Sequence, residues 1–303
     1  MTDEARRGAD PRREAGGEAR GRSRSERRVL AVLFGAATAL TVVGWSLGAL
    51  RGALDRLPPL DPHLAEVRST VVLDREGRLL RPFLTEDGRW RLPVGVDEVD
   101  PRFLALLMAY EDHRYYEHGG IDPRAVARAA AQAAVRGRIV SGASTLTMQV
   151  ARLLEPRDTR DLAAKTTQTL RALDLERRLD KRRILELYLA LAPYGGNIEG
   201  LRAASLAYFG KEPKRLSLAE QALLVALPQS PETRRPDRFP AAAARARDRV
   251  LARAVAAGVV KPADADHARR EPIPTARKPF PALAPHLAED LVAQYPEARV
   301  IRT

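Results

Sequence analysis

DPRFLALLMAYEDHRYYEHGGIDPRAVARAAAQAAV, residues 100–135, holds two helix starts of the same kind and, between them, the most chemically loaded segment of the chain. Asp100 can accept a free backbone N–H at a helix start, and Pro101 suits the first turn because its fixed φ is already helical and its missing N–H is not needed there. The apolar run FLALLMAY follows. Asp122 and Pro123 repeat the signal ahead of AVARAAAQAAV. Downstream, the spacing predicts helices over 144–155, 159–180, 182–192, 199–209 and 217–227, the last opened by a Ser217–Glu220 capping box. An Ala/Arg-rich helix is predicted over 240–257. Upstream, STVVLD (69–74), RLLRPFL (78–84) and RWRLPV (89–94), separated by turns at DREG and EDG, predict a small antiparallel sheet. Scarce aromatics and plentiful Ala, Leu and Arg favour helices over strands. The fold class read from the chain is mainly α with a small N-terminal β element.

Residues 1–28 contain nine Arg and six acidic residues among Gly, Ser and Ala. Such a segment buries too little apolar surface to offset its ordering entropy and is expected to be disordered. No charged residue occurs in the 22 positions from Val29 to Leu50. As a helix this stretch would span about 33 Å, enough to cross a bilayer's hydrocarbon core. A cleaved signal peptide would have a shorter apolar region, about 7–15 residues, with a small-residue cleavage site after it. Five Arg (20, 22, 24, 27 and 28) precede the span and two (51 and 56) follow it, so the N-terminus is expected in the cytoplasm and the rest outside. Residues 51–68 read as a connector. The net charge of +12 fits an anionic membrane surface or a pyrophosphate substrate as well as nucleic acid. No zinc-finger spacing or RNA-binding aromatic motif supports a nucleic-acid partner. The absence of cysteine excludes disulfides and thiolate metal sites.

Three stretches carry candidate chemistry. Glu111 and Asp112 close the first apolar helix in AYEDHRYYEHGGID (109–122). Shielding at that end would disfavour ionisation of Glu111 and bring it toward a useful proton acceptor. A metal site of Glu111, His113 and His118 competes with this reading, although the histidines are five apart rather than four and lack an evident further ligand. A polar helix end with satisfied histidines explains the same residues. In SGASTLTMQVARLLEP (141–156), a Gly-containing loop leads through Ser144 and Thr145 into a helix bearing Gln149 and Arg152. Free N–H groups and hydroxyls there suit an anionic oxygen, and an ordinary N-cap explains the hydroxyls equally well. In AAKTTQTLRALDLERRLDKRRILELYLALAPYGG (163–196), Lys165, Gln168, Ala172 and Glu176 share one helix face. Such a stripe is usually solvated; Lys165 could meet a phosphate only if the face turns inward.

Taken in order, EDHRYYEHGGID, GASTLTMQVARLL, KTTQTLRALDLERRLDKRRILELYL, YGGNIEGLRAASLAYFGK and LSLAEQALLVALPQSP resemble glycosyltransferase family 51. These are the glycan-polymerising modules of class A penicillin-binding proteins and the monofunctional cell-wall glycosyltransferases. The APYGGNIEG and STLTMQ wording looks most like the penicillin-binding protein 1C subgroup. The resemblance implies a lysozyme-like glycosyltransferase domain over 69–275, with a membrane-dipping jaw near 132–142, and a linker over 276–303. It implies transfer of a growing glycan from undecaprenyl pyrophosphate to lipid II. The acceptor 4-hydroxyl attacks the donor's anomeric carbon, which inverts to give a β-1,4 bond and expels the lipid pyrophosphate. Glu111 matches the catalytic Glu. Arg128, Arg152, Arg160 and Lys165 match basic positions that contact the donor phosphates, and Ser144, Thr145 and Gln149 match the polar cluster of the second motif. Asp112, His118, Gln168 and Glu176 complete the implied substrate-binding set.

The departures are specific. Gln168 stands where a second Glu is frequent, Met148 replaces a Gln, and Ala190 replaces an Asn. No cofactor is required. A divalent cation such as Mg²⁺ assists some relatives, and the neutral Gln168 weakens the case for one here. The implied partners are lipid II, the nascent glycan, the membrane and other cell-wall synthesis proteins. The implied location is the bacterial inner membrane, single-pass, with the catalytic domain on the periplasmic side. AEDLVAQYPEARVIRT (288–303) resembles the linker that introduces a transpeptidase domain, and the chain contains no Ser-x-x-Lys nucleophile, so no transpeptidase activity is expected of it. A non-catalytic scaffold and a lytic muramidase are the rival readings.

Overall fold

The computed structural model describes residues 33, 34, 38, 41, 42, 44, 45, 48–58, 67–137, 144–155 and 162–303. The tail 1–28, much of the apolar span 29–50, Arg160 and the jaw residues 138–142 lie outside the described residues. The chain divides into two units, Met1–Arg56 and Leu57–Thr303. In the first, the described residues from 33 to 55 are helical. Among the described residues, no helix is long and apolar enough to cross a membrane.

The second unit is mainly helical. Its helices are α1 (Pro101–Glu111), α2 (Pro123–Arg136), α3 (Leu146–Leu154), α4 (Leu162–Arg178), α5 (Lys181–Leu191), α6 (Leu201–Phe209), α7 (Leu218–Ala226), α8 (Pro240–Ala256), α9 (Pro262–Arg270) and α10 (Pro285–Gln294). Several of these starts are set by side chains that satisfy otherwise orphaned N–H groups. Asp100 accepts from Arg102 N at 2.8 Å and Asp122 from Ala125 N at 3.0 Å. Thr145 caps α3, accepting from Met148 N at 3.1 Å. Ser217 and Glu220 form the reciprocal box that opens α7.

Helix α6 is buried on every side, and α7 nearly so. A helix buried all round belongs inside a core, and this pair lies within the main hydrophobic cluster. Helix α7 packs against α1 and α8, while α3 packs against α4 and α5. Two of the positive-φ glycines bring backbone against backbone near the site. Gly120 (φ 86°) leaves no room for a Cβ, which would lie 2.8 Å from the carbonyl oxygen of Ala172 on α4. Gly200 (φ 80°) brings the start of α6 against the carbonyl of Ala190, where a Cβ would sit at 2.6 Å. Ala190 itself is buried.

The strands pair differently from the expected meander. β1 (Val71–Leu73) and β2 (Leu79–Pro82) are antiparallel as predicted, but the next neighbour of β1 is β5 (Val300–Arg302), which runs parallel to it. The third predicted strand contributes β3 (Trp90–Arg91), which pairs in parallel with β4 (Ile198–Glu199) in a separate sheet. Side-chain chemistry explains that choice. The Arg91 guanidinium lies on Glu199, with Nε donating at 2.8 Å, and Trp90 packs on Phe280 with ring centroids 4.4 Å apart. The segment after residue 275 is therefore folded onto the domain. Ile301 of β5 and Ala288 of α10 enclose Val72 in a small satellite core.

Candidate functional site

A cleft of about 750 Å³ opens where α1, α2, α3, α8 and the turn after α7 converge. Glu111 is the last residue of α1 and lines it. The carboxylate is half-buried and held by two amides from different elements. Gln149 on α3 donates to Oε2 at 2.8 Å, and Gln229 in the turn after α7 donates to Oε1 at 2.8 Å. Burial pushes the Glu111 carboxyl above the ordinary glutamate range; the two amides and the Arg253 and Arg234 charges pull against it without cancelling it. Desolvation wins because a neutral amide stabilises a carboxylate less than water's full shell does. Nearby, the buried Tyr188 phenol is also pushed up, first by burial and then by the Glu111 charge.

Asp112 follows Glu111 yet faces inward. Helix α1 ends at Glu111, and Asp112 leaves the helical path at φ −158°, ψ 75°. Its buried carboxylate accepts from Leu146 N at 2.9 Å and contacts His118 Nε2 at 3.0 Å. One acidic side chain thus ties the end of α1 to the first residue of α3. Thr145 reinforces the joint: its hydroxyl donates to the Gly120 carbonyl at 2.6 Å while capping α3. Asp112, His118 and Thr145, expected at the substrate, are therefore engaged within the protein. Asp112 and Thr145 still contribute to the cleft wall, whereas His118 does not. Arg114, paired with Asp122, braces the start of α2 in the same way.

Arg128 on α2, Ser144 ahead of α3 and Arg152 on α3 line the cleft as the sequence suggested. The α4 face bearing Gln168, Ala172 and Glu176 does turn inward, against α3. Ala172 is fully buried, Gln168 donates to the Met148 carbonyl at 2.8 Å, and Glu176 accepts from Thr147 at 2.6 Å and from Lys181 at 2.6 Å. These contacts take Gln168 and Glu176 out of the cleft lining; Gln168 borders only a small void behind Arg152. Lys165, nearer the start of α4, is exposed and also lies outside that lining. Among the described residues no three His, Asp or Glu side chains are grouped as metal ligands, and His118 is turned to Asp112 rather than toward Glu111.

Among the lining residues not singled out from sequence are Gln229, Ser230, Arg234 and Arg253. Gln229 and Ser230 sit in the PQSP turn, which closes the last of the family-like stretches but was assigned no site role. Arg253 is one arginine among several on α8; it reaches the cleft by donating to the Tyr110 carbonyl at 3.0 Å, its guanidinium 4.6 Å from the Tyr110 ring centroid.

A family model described as transglycosylase matches residues 76–255. Penicillin-binding protein 1C of Escherichia coli is 44% identical over 250 residues, 82% of this chain and 32% of that protein. Penicillin-binding protein 1A of Aquifex aeolicus is 37% identical over 217 residues, 70% of this chain and 30% of that protein. Penicillin-binding protein 1A of Vibrio cholerae is 36% identical over 202 residues, 67% of this chain and 24% of that protein. The chain spans about a third or less of the length of these curated relatives.

Proposed function

Since this chain belongs to the transglycosylase family, we propose that it is a peptidoglycan glycosyltransferase that polymerises lipid II with Glu111 as its general base. The observation that carries this reading is a carboxylate made a better proton acceptor by burial, fixed between two amides, in a cleft also lined by Arg128 and Arg152. The reaction needs a base for the incoming hydroxyl and positive charge for the departing pyrophosphate.

In this mechanism the 4-hydroxyl of the acceptor sugar gives its proton to Glu111 as its oxygen attacks the donor's anomeric carbon. The glycosidic bond to the lipid pyrophosphate breaks on the opposite face, and the centre inverts. Arg128, Arg152 and the N-terminal end of α3 beside Ser144 receive the anionic leaving group. Lys165 and Arg160 act on the lipid-linked phosphates, and Gln168 and Glu176 act by seating α4 against α3. The same reading includes a lysozyme-like architecture for the domain, residues 29–50 as a single-pass anchor in the inner membrane, and a catalytic domain on the periplasmic side, where other cell-wall synthesis proteins meet it.

The test is incubation of the full chain with lipid II. Glycan chains should form in wild type and disappear in Glu111→Gln, with the fold retained. Wild-type turnover by that variant would remove Glu111 from its role, and cleavage of preformed glycan without synthesis would replace the reading with a lytic one.

A further inference from the structure

The second amide on Glu111 is itself held in place. Gln229 Oε1 accepts from the Tyr110 hydroxyl at 3.2 Å and from Arg234 Nη1 at 3.2 Å, while that same Arg234 nitrogen donates to the Ala226 carbonyl at 2.7 Å. With two donors aimed at the amide oxygen, the NH₂ group is the end that must face the carboxylate. Tyr110 belongs to the same helix as Glu111, and Ala226 ends the buried helix α7. The chain Ala226–Arg234–Gln229 thus transmits the position of a core helix to one oxygen of the cleft carboxylate. We infer that Gln229 is a positioning residue for the transfer reaction, one that orients Glu111 and sets the pH at which it can accept a proton.

This rests on Glu111 being the base. The groups that face its carboxylate are Gln149 from α3, Gln229 and Arg234 from the turn after α7, Arg253 from α8, Tyr188 from α5 and Tyr110 from α1 itself. Gln149 holds Oε2 whatever happens at 229, so removing Gln229 frees Oε1 alone. The sign then follows. A donor stabilises the charged form, so its loss favours the protonated form and raises the pH needed for activity. A cation at the same position favours the charged form and lowers it.

The experiment is the pH dependence of kcat/KM for lipid II with wild type, Gln229→Leu and Gln229→Lys in the full chain. Gln229 is exposed to solvent within the cleft, so the expected displacement is at the modest end for a hydrogen bond to a charged group, about one pH unit. The acidic limb should move up in Gln229→Leu, so that at a fixed pH on that limb kcat falls about tenfold with KM little changed, and should move down in Gln229→Lys. An unmoved limb in both variants, movement of the same sign in both, or a change confined to KM overturns the proposal. Glu111→Gln run alongside separates the two readings: if it is inactive while both Gln229 variants keep the wild-type limb, the base stands and the positioning role falls.

Discussion

Replacing Thr145 with Val asks whether this hydroxyl serves the fold or the substrate. Valine keeps the branched shape, so no cavity opens, and the backbone at φ −88°, ψ 167° accepts it without strain. Only the hydroxyl is lost. In the folded chain it accepts from Met148 N at 3.1 Å and donates to the Gly120 carbonyl at 2.6 Å, in a residue 2% exposed. Loss of an N-cap oxygen costs about 1 kcal/mol. Leaving the Gly120 carbonyl buried without its donor adds about 1–3 kcal/mol. The sum, about 2–4 kcal/mol, lowers Tm by roughly 5–15 °C for a domain of this size. Urea unfolding followed by circular dichroism reads it as a shift in midpoint at constant slope, with Thr145→Ser as the control that keeps the oxygen. A Val variant within about 0.5 kcal/mol of wild type, the range of an ordinary surface change, would refute the capping account. If such a variant also bound lipid II poorly, the hydroxyl would belong to the substrate.

Glu111→Gln should stabilise the fold at neutral pH. The folded protein holds the Glu111 proton more tightly than the unfolded chain does, so ionisation erodes stability as pH rises from the ordinary glutamate range through the raised folded value. The Tm advantage of the variant should shrink to nothing below about pH 4, and a pH-independent difference would argue against the raised carboxyl. Ile301→Ala should cost about 2–4 kcal/mol by emptying the small core under β1; wild-type stability in thermal unfolding would mean that β5 is not seated on the domain.

Local sequence signals recovered α1 to α8, several of whose starts are chemically marked, and missed α9 and α10, which open without a side-chain cap. Asp100, Asp122, Thr145 and Ser217 each bond the N–H that their position predicts. Glu111 was legible for a related reason: an acid at the end of an apolar helix is unusual enough to notice. Strand partners were not legible. Period-two alternation marks a strand but does not name its neighbour, and β5 lies at the far end of the chain from β1. Direction was the other gap. The shared face of Lys165, Gln168 and Glu176 is real, yet helical spacing does not say that its inner part meets Thr147 and Met148 rather than the cleft. Arg253 was illegible for the same reason, since only the packing of α8 on α7 and α1 selects it from its neighbours.

Glu111 and Asp112 show how one backbone turn divides two like groups between the cleft and the interior. They are consecutive carboxylates, and the end of α1 between them sends one toward solvent space and the other into the core. Asp112 receives a backbone N–H from α3 and the His118 ring, which occupies its oxygens in holding two helices together. Glu111 receives only two neutral side-chain amides in a partly dry setting, enough to fix its direction and too little to satisfy its charge. A carboxylate solvated as fully as in water would be a weak acceptor at neutral pH, and one bound as fully within the fold as Asp112 would have no lone pair to offer. The cleft keeps Glu111 between these limits, and the joint made by Asp112 and Thr145 holds Gln149 where that balance needs it. Part of the stability of the α1–α3 junction is thereby set against the cost of keeping a carboxylate under-solvated.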